Sequence, residues 1–157
     1  MDSIIAFVAR YLFIVILFAE IIYLVVFHRK RLVELLLAAV LIGGLSLALA
    51  LLLNGLVQDP RPFVVQGSTP LIPSSTDNGF PSDHTLLLSA TAAITMIANP
   101  WAGVVGLLLA VAVGLARVYA GVHHMADIVG SLFIVGFVTA GYLITWMLAS
   151  MGRHKKG

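Results

Sequence analysis

Three short stretches of this 157-residue chain carry the side chains best suited to chemistry. The first is DPRPF, residues 59–63, where Arg61 stands between two prolines. Pro62 disfavours helix at Arg61, so the guanidinium projects from a fixed, extended backbone. The second is PSDH, residues 81–84. Ser82 reads as the N-cap of a helix whose free N–H groups and dipole attract anions. Asp83 complements that dipole, and His84, at most one turn inside, can donate a proton to a group held there. The third is ARVYAGVHHMAD, residues 116–127, with Arg117, His123 and Asp127. If a helix begins near Val122, His123 and Asp127 share one face at a spacing of four. A carboxylate on one imidazole nitrogen fixes the tautomer and makes the other nitrogen a better base or nucleophile. His124 is a second candidate for the active imidazole, and only the spacing to Asp127 favours His123. Arginine forks match phosphate oxygens bidentately. Two arginines, two histidines, a serine at a helix start and an aspartate therefore read as a phosphate cradle with a nucleophile and an acid.

The elements that must position these groups are membrane helices. The chain is 61% hydrophobic and 10% charged, far from the ~25% charged balance of soluble domains. A spanning helix takes ~20 apolar residues. Apolar runs cover residues 4–27, 32–56, 84–98, 101–118 and 126–149, which predicts a single domain, residues 1–157, with about five spans. The third and fourth runs are short, and a re-entrant third segment is the alternative to a crossing one. The first run is too long for a signal-peptide core and lacks a small-residue cleavage site, so it reads as a retained span. No cysteine is present, which excludes disulfides, thiolate metal sites and cysteine nucleophiles.

Six of the nine basic residues fall after the first run, Arg29, Lys30 and Arg31, or after the last, Arg153, Lys155 and Lys156. Cytoplasmic flanks carry the excess of Lys and Arg, so five spans place both clusters inside and the loops 58–83 and 119–125 outside. Arg61 and Arg117 flank those outer loops against the rule, as expected of groups kept for chemistry. Ionisable groups at membrane segments are costly and mark function by default.

The three stretches resemble those of the type-2 phosphatidic-acid phosphatase superfamily of membrane lipid phosphatases. Its pattern of K-x(6)-R-P, P-S-G-H and S-R-x(5)-H-x(3)-D stands here at Asn54–Pro62, Pro81–His84 and Ala116–Asp127. Asn54 replaces the lysine, Asp83 the glycine and Ala116 the serine. FPSDHT together with RPF is similar to the bacterial undecaprenyl-diphosphatases associated with bacitracin resistance. The resemblance implies an all-α membrane bundle with its active site at the extracytoplasmic face of the bacterial cell membrane. It implies that His123 attacks phosphorus, Asp127 holds its imidazole, and His84 protonates the leaving oxygen and then activates water. Arg61, Arg117, Ser82, Asn54 and Asp83 would bind phosphate. No metal, other cofactor or nucleic acid is expected. The implied substrate is a lipid diphosphate, foremost undecaprenyl diphosphate, with phosphatidylglycerophosphate and phosphatidic acid as alternatives. Transfer of phosphate to an acceptor other than water, and a binding or transport protein without turnover, are the competing functions.

Overall fold

A computed structural model of the chain describes residues 1–154, so Lys155 and Lys156 of the second basic cluster lie outside the described residues. The chain forms five long helices and one short one, with no strand among the described residues. Helix α1 runs Asp2–Phe27 and α2 Arg29–Leu56. Helix α3, Pro62–Gln66, is a single turn. Helices α4, Asp83–Ala98, α5, Pro100–Tyr119, and α6, Met125–His154, complete the bundle. By length and composition α1, α2, α5 and α6 can cross a membrane.

Helix α4 has sixteen residues, about 24 Å at 1.5 Å per residue, against a hydrocarbon core of ~30 Å. It nevertheless runs between the two ends of the bundle. Its N-cap N–H, Ser82, meets the Asp127 carbonyl at one end. At the other, the Ile97 carbonyl accepts Arg31 Nη1 at 3.3 Å, and Asn99 Nδ2 donates to the Tyr23 hydroxyl at 3.0 Å. The third segment therefore runs from one end of the bundle to the other. Its shortness follows from its place: α4 is the central helix and buries Thr85, Leu86, Leu88, Ser89, Ala90, Ala92, Ile94 and Thr95 on nearly every side. The outer helices turn large apolar side chains such as Val33, Val40, Phe133 and Phe137 outward, the pattern of a surface solvated by lipid.

Close packing fixes α5 against its neighbours. A Cβ on Gly103 would lie 2.5 Å from the Met96 backbone, and one on Gly114 would lie 2.7 Å from Ile128 and 3.0 Å from Thr85 Oγ1. At Gly114, α4, α5 and α6 therefore converge one turn before Arg117. Asn99 caps α5 by accepting the N–H groups of Trp101 and Ala102 at 3.1 and 3.2 Å, which explains the tight α4–α5 hairpin.

The 57–82 segment is a built loop. Asn78 Nδ2 donates to the Asn54 and Val57 carbonyls at 2.7 and 2.6 Å, and Asn78 Oδ1 accepts the Asp59 N–H at 2.9 Å. Pro60 and Asn78 form an isolated antiparallel bridge. These bonds satisfy carbonyls that the end of α2 leaves open and fold the loop back over the site.

Candidate active site

The bundle end opposite the Arg29–Arg31 turn brings Arg61, Ser82, His84, Arg117, His123 and Asp127 together. Arg117 and His123 are buried, and Asp127 is fully so. Helix α6 begins at Met125, not near Val122, so His123 and Asp127 do not meet as neighbours on a helical face. His123 instead lies in the turn before α6, reached through Gly121 at φ +76, a conformation glycine adopts without a Cβ clash. Asp127 sits in the first helical turn and reaches back: its Oδ2 accepts the His124 backbone N–H at 2.8 Å and His123 Nδ1 at 3.1 Å. The first of these is the reciprocal half of a capping box. One side chain thus starts the helix and orients the imidazole.

Arg117 decides the tautomer. Its Nη2 lies 3.1 Å from His123 Nε2, and a guanidinium only donates, so Nε2 is the acceptor and Nδ1 carries the hydrogen given to Asp127. Burial pushes the His123 imidazolium below the ordinary histidine range, the charges of Arg117 and Arg61 add to that, and the Asp127 hydrogen bond opposes it. The result is a neutral imidazole with its lone pair at Nε2, oriented from behind by a carboxylate and flanked by a guanidinium.

Both arginines are fixed by the backbone as well. Arg117 Nη1 donates to the Ala9 carbonyl at 3.0 Å, inside a widened π-type turn at Val8–Leu12 of α1. Arg61 Nη1 donates to the Val122 carbonyl at 3.1 Å, while Nε and Nη2 both reach Asp77 Oδ1 at 3.0 and 2.9 Å. Ser75 Oγ donates to the same oxygen at 2.6 Å. That hydroxyl, with Arg61, holds the Asp77 carboxyl below the usual carboxylate range.

Ser82 occupies the N-cap position as expected, but its side chain makes no capping bond; its Oγ accepts Thr85 Oγ1 at 3.2 Å. Ser131 Oγ donates to the Ser82 and Asp127 carbonyls at 3.0 and 2.7 Å, which ties the start of α4 to the start of α6. His84 packs edge-on against Phe13, with centroids 3.9 Å apart, and feels the charges of Arg117, His123 and Arg61. Two expected phosphate contacts are not brought into the cradle. Asn54 Nδ2 donates to the Phe80 carbonyl at 2.6 Å, so its amide supports the loop. Asp83 is exposed and lines an apolar groove of about 400 Å³ with Gly43, Gly44, Leu47, Leu86 and Leu87. Asp59, Asp77, Asn78 and Ser131 escaped sequence reasoning, since each acts through a partner at least sixteen residues away and has no motif of its own.

A buried neutral imidazole held by a carboxylate on one nitrogen and met by a guanidinium on the other can serve as a nucleophile or base beside an anion that such guanidinium groups bind. The family model described as PAP2 superfamily matches residues 31–151. The chain belongs to the PAP2 superfamily. Among curated relatives, undecaprenyl-diphosphatase BcrC of Bacillus subtilis is 33% identical over 106 residues, 63% of this chain and 55% of that protein. An undecaprenyl-diphosphatase of Sulfolobus acidocaldarius is 32% identical over 98 residues, covering 61% and 46%. The putative undecaprenyl-diphosphatase YbjG of Escherichia coli is 31% identical over 100 residues, covering 62% and 50%. The chain spans about half the length of the curated relatives it matches. No solved structure matches it.

Proposed function

We propose that this multi-pass membrane protein hydrolyses a polyprenyl diphosphate, foremost undecaprenyl diphosphate, to the monophosphate and inorganic phosphate through a phospho-histidine at His123. The observation that carries this reading is the Nε2 lone pair of His123, 3.1 Å from Arg117 Nη2 with Asp127 on the other ring nitrogen. In the first half-reaction Nε2 bonds to the terminal phosphorus as the bridging P–O bond breaks. The prenyl phosphate leaves with a proton from His84. In the second, His84 takes a proton from water, the oxygen attacks phosphorus, and the N–P bond breaks to restore His123. Arg61 and Arg117 keep their backbone carbonyl partners and present their remaining N–H groups to the non-bridging oxygens, where fixed donors stabilise developing charge. His84 has no acidic partner among the described residues, so the anionic substrate supplies the counter-charge for its imidazolium.

The names of the relatives favour undecaprenyl diphosphate. The groove below Asp83 offers an apolar path for a prenyl tail from the mouth of the site into the bilayer. The Arg29–Arg31 cluster at the far end of the bundle favours a site on the outer face of the cell membrane. The test is phosphate release by purified protein from undecaprenyl diphosphate, phosphatidylglycerophosphate and phosphatidic acid, with and without added acceptors. The expected outcome is the highest kcat/KM for undecaprenyl diphosphate. Preference for either phospholipid reassigns the substrate, and turnover only with an acceptor makes the protein a phosphotransferase.

A further inference from the structure

The His123–Asp127 couple accounts for only one oxygen of Asp127. Oδ2 accepts two N–H groups, whereas Oδ1 is buried and has no hydrogen-bond partner from ordinary donors. A buried acceptor left without a partner is costly, and more so when charged. The second carboxyl beside Asp127 is that of Asp59. One carboxylate oxygen each of Asp59 and Asp127 and a ring nitrogen of His124 lie within 4.8 Å of one another, and His124 Nδ1 is 3.0 Å from Asp59 Oδ1.

Asp59 is not a loop side chain that happens to swing near. Its N–H is held by Asn78 Oδ1 at 2.9 Å, and its carbonyl accepts the Gly79 N–H at 2.8 Å. Gly79 leaves no space behind it: a Cβ there would stand 3.1 Å from the Asp59 carbonyl and 3.2 Å from Asp127 Oδ2. The loop that carries Arg61 is thus folded so that a second carboxyl is pressed against the back of the first. Two carboxyls that share a site do not both ionise readily. Desolvation, followed by the hydrogen bond and charge of Asp127, pushes Asp59 above the ordinary carboxylate range, with His124 acting in the opposite direction.

We propose that Asp59 is a positioning residue for the nucleophile, its carboxyl sharing a proton with Asp127 Oδ1 so that Oδ2 stays aimed at His123. The proposal rests on the phosphatase reading. The hydrogen-bonded row then runs Asp59, Asp127, His123, with one negative charge over the two carboxyls. His124 Nδ1 stands 3.0 Å from Asp59 Oδ1 as an ion-pair contact without hydrogen-bond geometry, which gives the second histidine of the pair a supporting place and leaves attack to His123.

The test compares D59N and D59A in purified protein, each checked for native-like thermal unfolding in detergent. Asparagine keeps a donor for Asp127 and an acceptor for His124 in the same shape, so D59N is expected to retain kcat within about threefold. Alanine leaves Oδ1 bare, and kcat is expected to fall about 10- to 100-fold, the range for partners that orient an active group, with KM changed little. Equal losses in both variants overturn the shared proton in favour of an Asp59 carboxylate. Loss of native activity in EDTA, restored by Mg²⁺ or Mn²⁺ and absent in D59N, overturns it in favour of a bound cation. If the native protein releases no phosphate from any lipid diphosphate, the phosphatase reading fails, and Asp59 is judged by the imidazole ¹⁵N signals of His123. A shift toward mixed tautomers in D59A but not in D59N upholds the positioning role; no shift in either rejects it.

Discussion

Replacing Asp127 by asparagine separates the charge of the orienting group from its shape. Oδ2 of Asp127 accepts His123 Nδ1 at 3.1 Å and the His124 N–H at 2.8 Å. An asparagine oxygen can accept both, with its NH₂ turned toward Asp59, so the start of α6 and the His123 tautomer are expected to survive. What disappears is the negative charge beside an imidazole that, in the proposed mechanism, becomes cationic as its Nε2 bonds to phosphorus. Two unit charges ~4 Å apart interact by about 4 kcal/mol at an effective dielectric of 20. At 1.36 kcal/mol per decade this is about a thousandfold in rate. The loss should therefore fall in kcat, because the charge acts mainly once the imidazole becomes positive, and KM should move little. The assay is single-turnover phosphate release from undecaprenyl diphosphate at saturating enzyme. A D127N rate within tenfold of native refutes the electrostatic reasoning and leaves Asp127 a capping residue only.

Three further outcomes are expected. Asp77 masks Arg61 through a side chain that is 66% exposed; exposed pairs are worth about 0–1 kcal/mol, so D77A should lower KM by up to about fivefold at constant kcat. A raised KM would instead make Asp77 a support for Arg61. Burial first, and then the two arginine charges against the opposing Asp127 hydrogen bond, lower the His123 value from 6.5, so the imidazole is neutral at that pH and the acid limb of kcat/KM expected of the proposed nucleophile lies under 6.5. The sign for stability is the same: the unfolded chain takes the proton first, so this site destabilises the fold only as pH falls below 6.5. An acid limb above 6.5 would mean that another group governs it. Finally, a cysteine at the exposed Ser75 should react with an impermeant thiol reagent on intact cells; reaction only after lysis would place the site on the inner face.

The helical bundle was legible from composition, because ~20-residue apolar runs in so short a chain leave few other folds. The Arg117, His123 and Asp127 set was legible from spacing. Its geometry was not, since a separation of four suggests a helical face, while Gly121 and the helix start at Met125 place His123 in the preceding turn. Nor was the shortness of the third segment decisive: α4 is central, packed closely against α5 and α6, and a hydropathy reading weighs length without knowing which helix is enclosed. Asn54 looked like a phosphate contact because it stands at the position of the family lysine; its amide serves the Phe80 carbonyl. Asp59, Asp77 and Asn78 were hidden for a different reason. They lie in a stretch rich in turn formers, where Asp and Asn are common for local backbone reasons, and only the folded loop distinguishes those that reach the site.

The central claim is that His123 is the phosphorus nucleophile of a lipid diphosphatase. The most direct test is phosphate release from undecaprenyl diphosphate, in detergent with EDTA present, by native protein and by H123A, which should keep the native fold. The account predicts sustained release by the native protein and none above background by H123A. Undiminished release by H123A contradicts it and moves the nucleophile elsewhere, with His124 the first residue to examine.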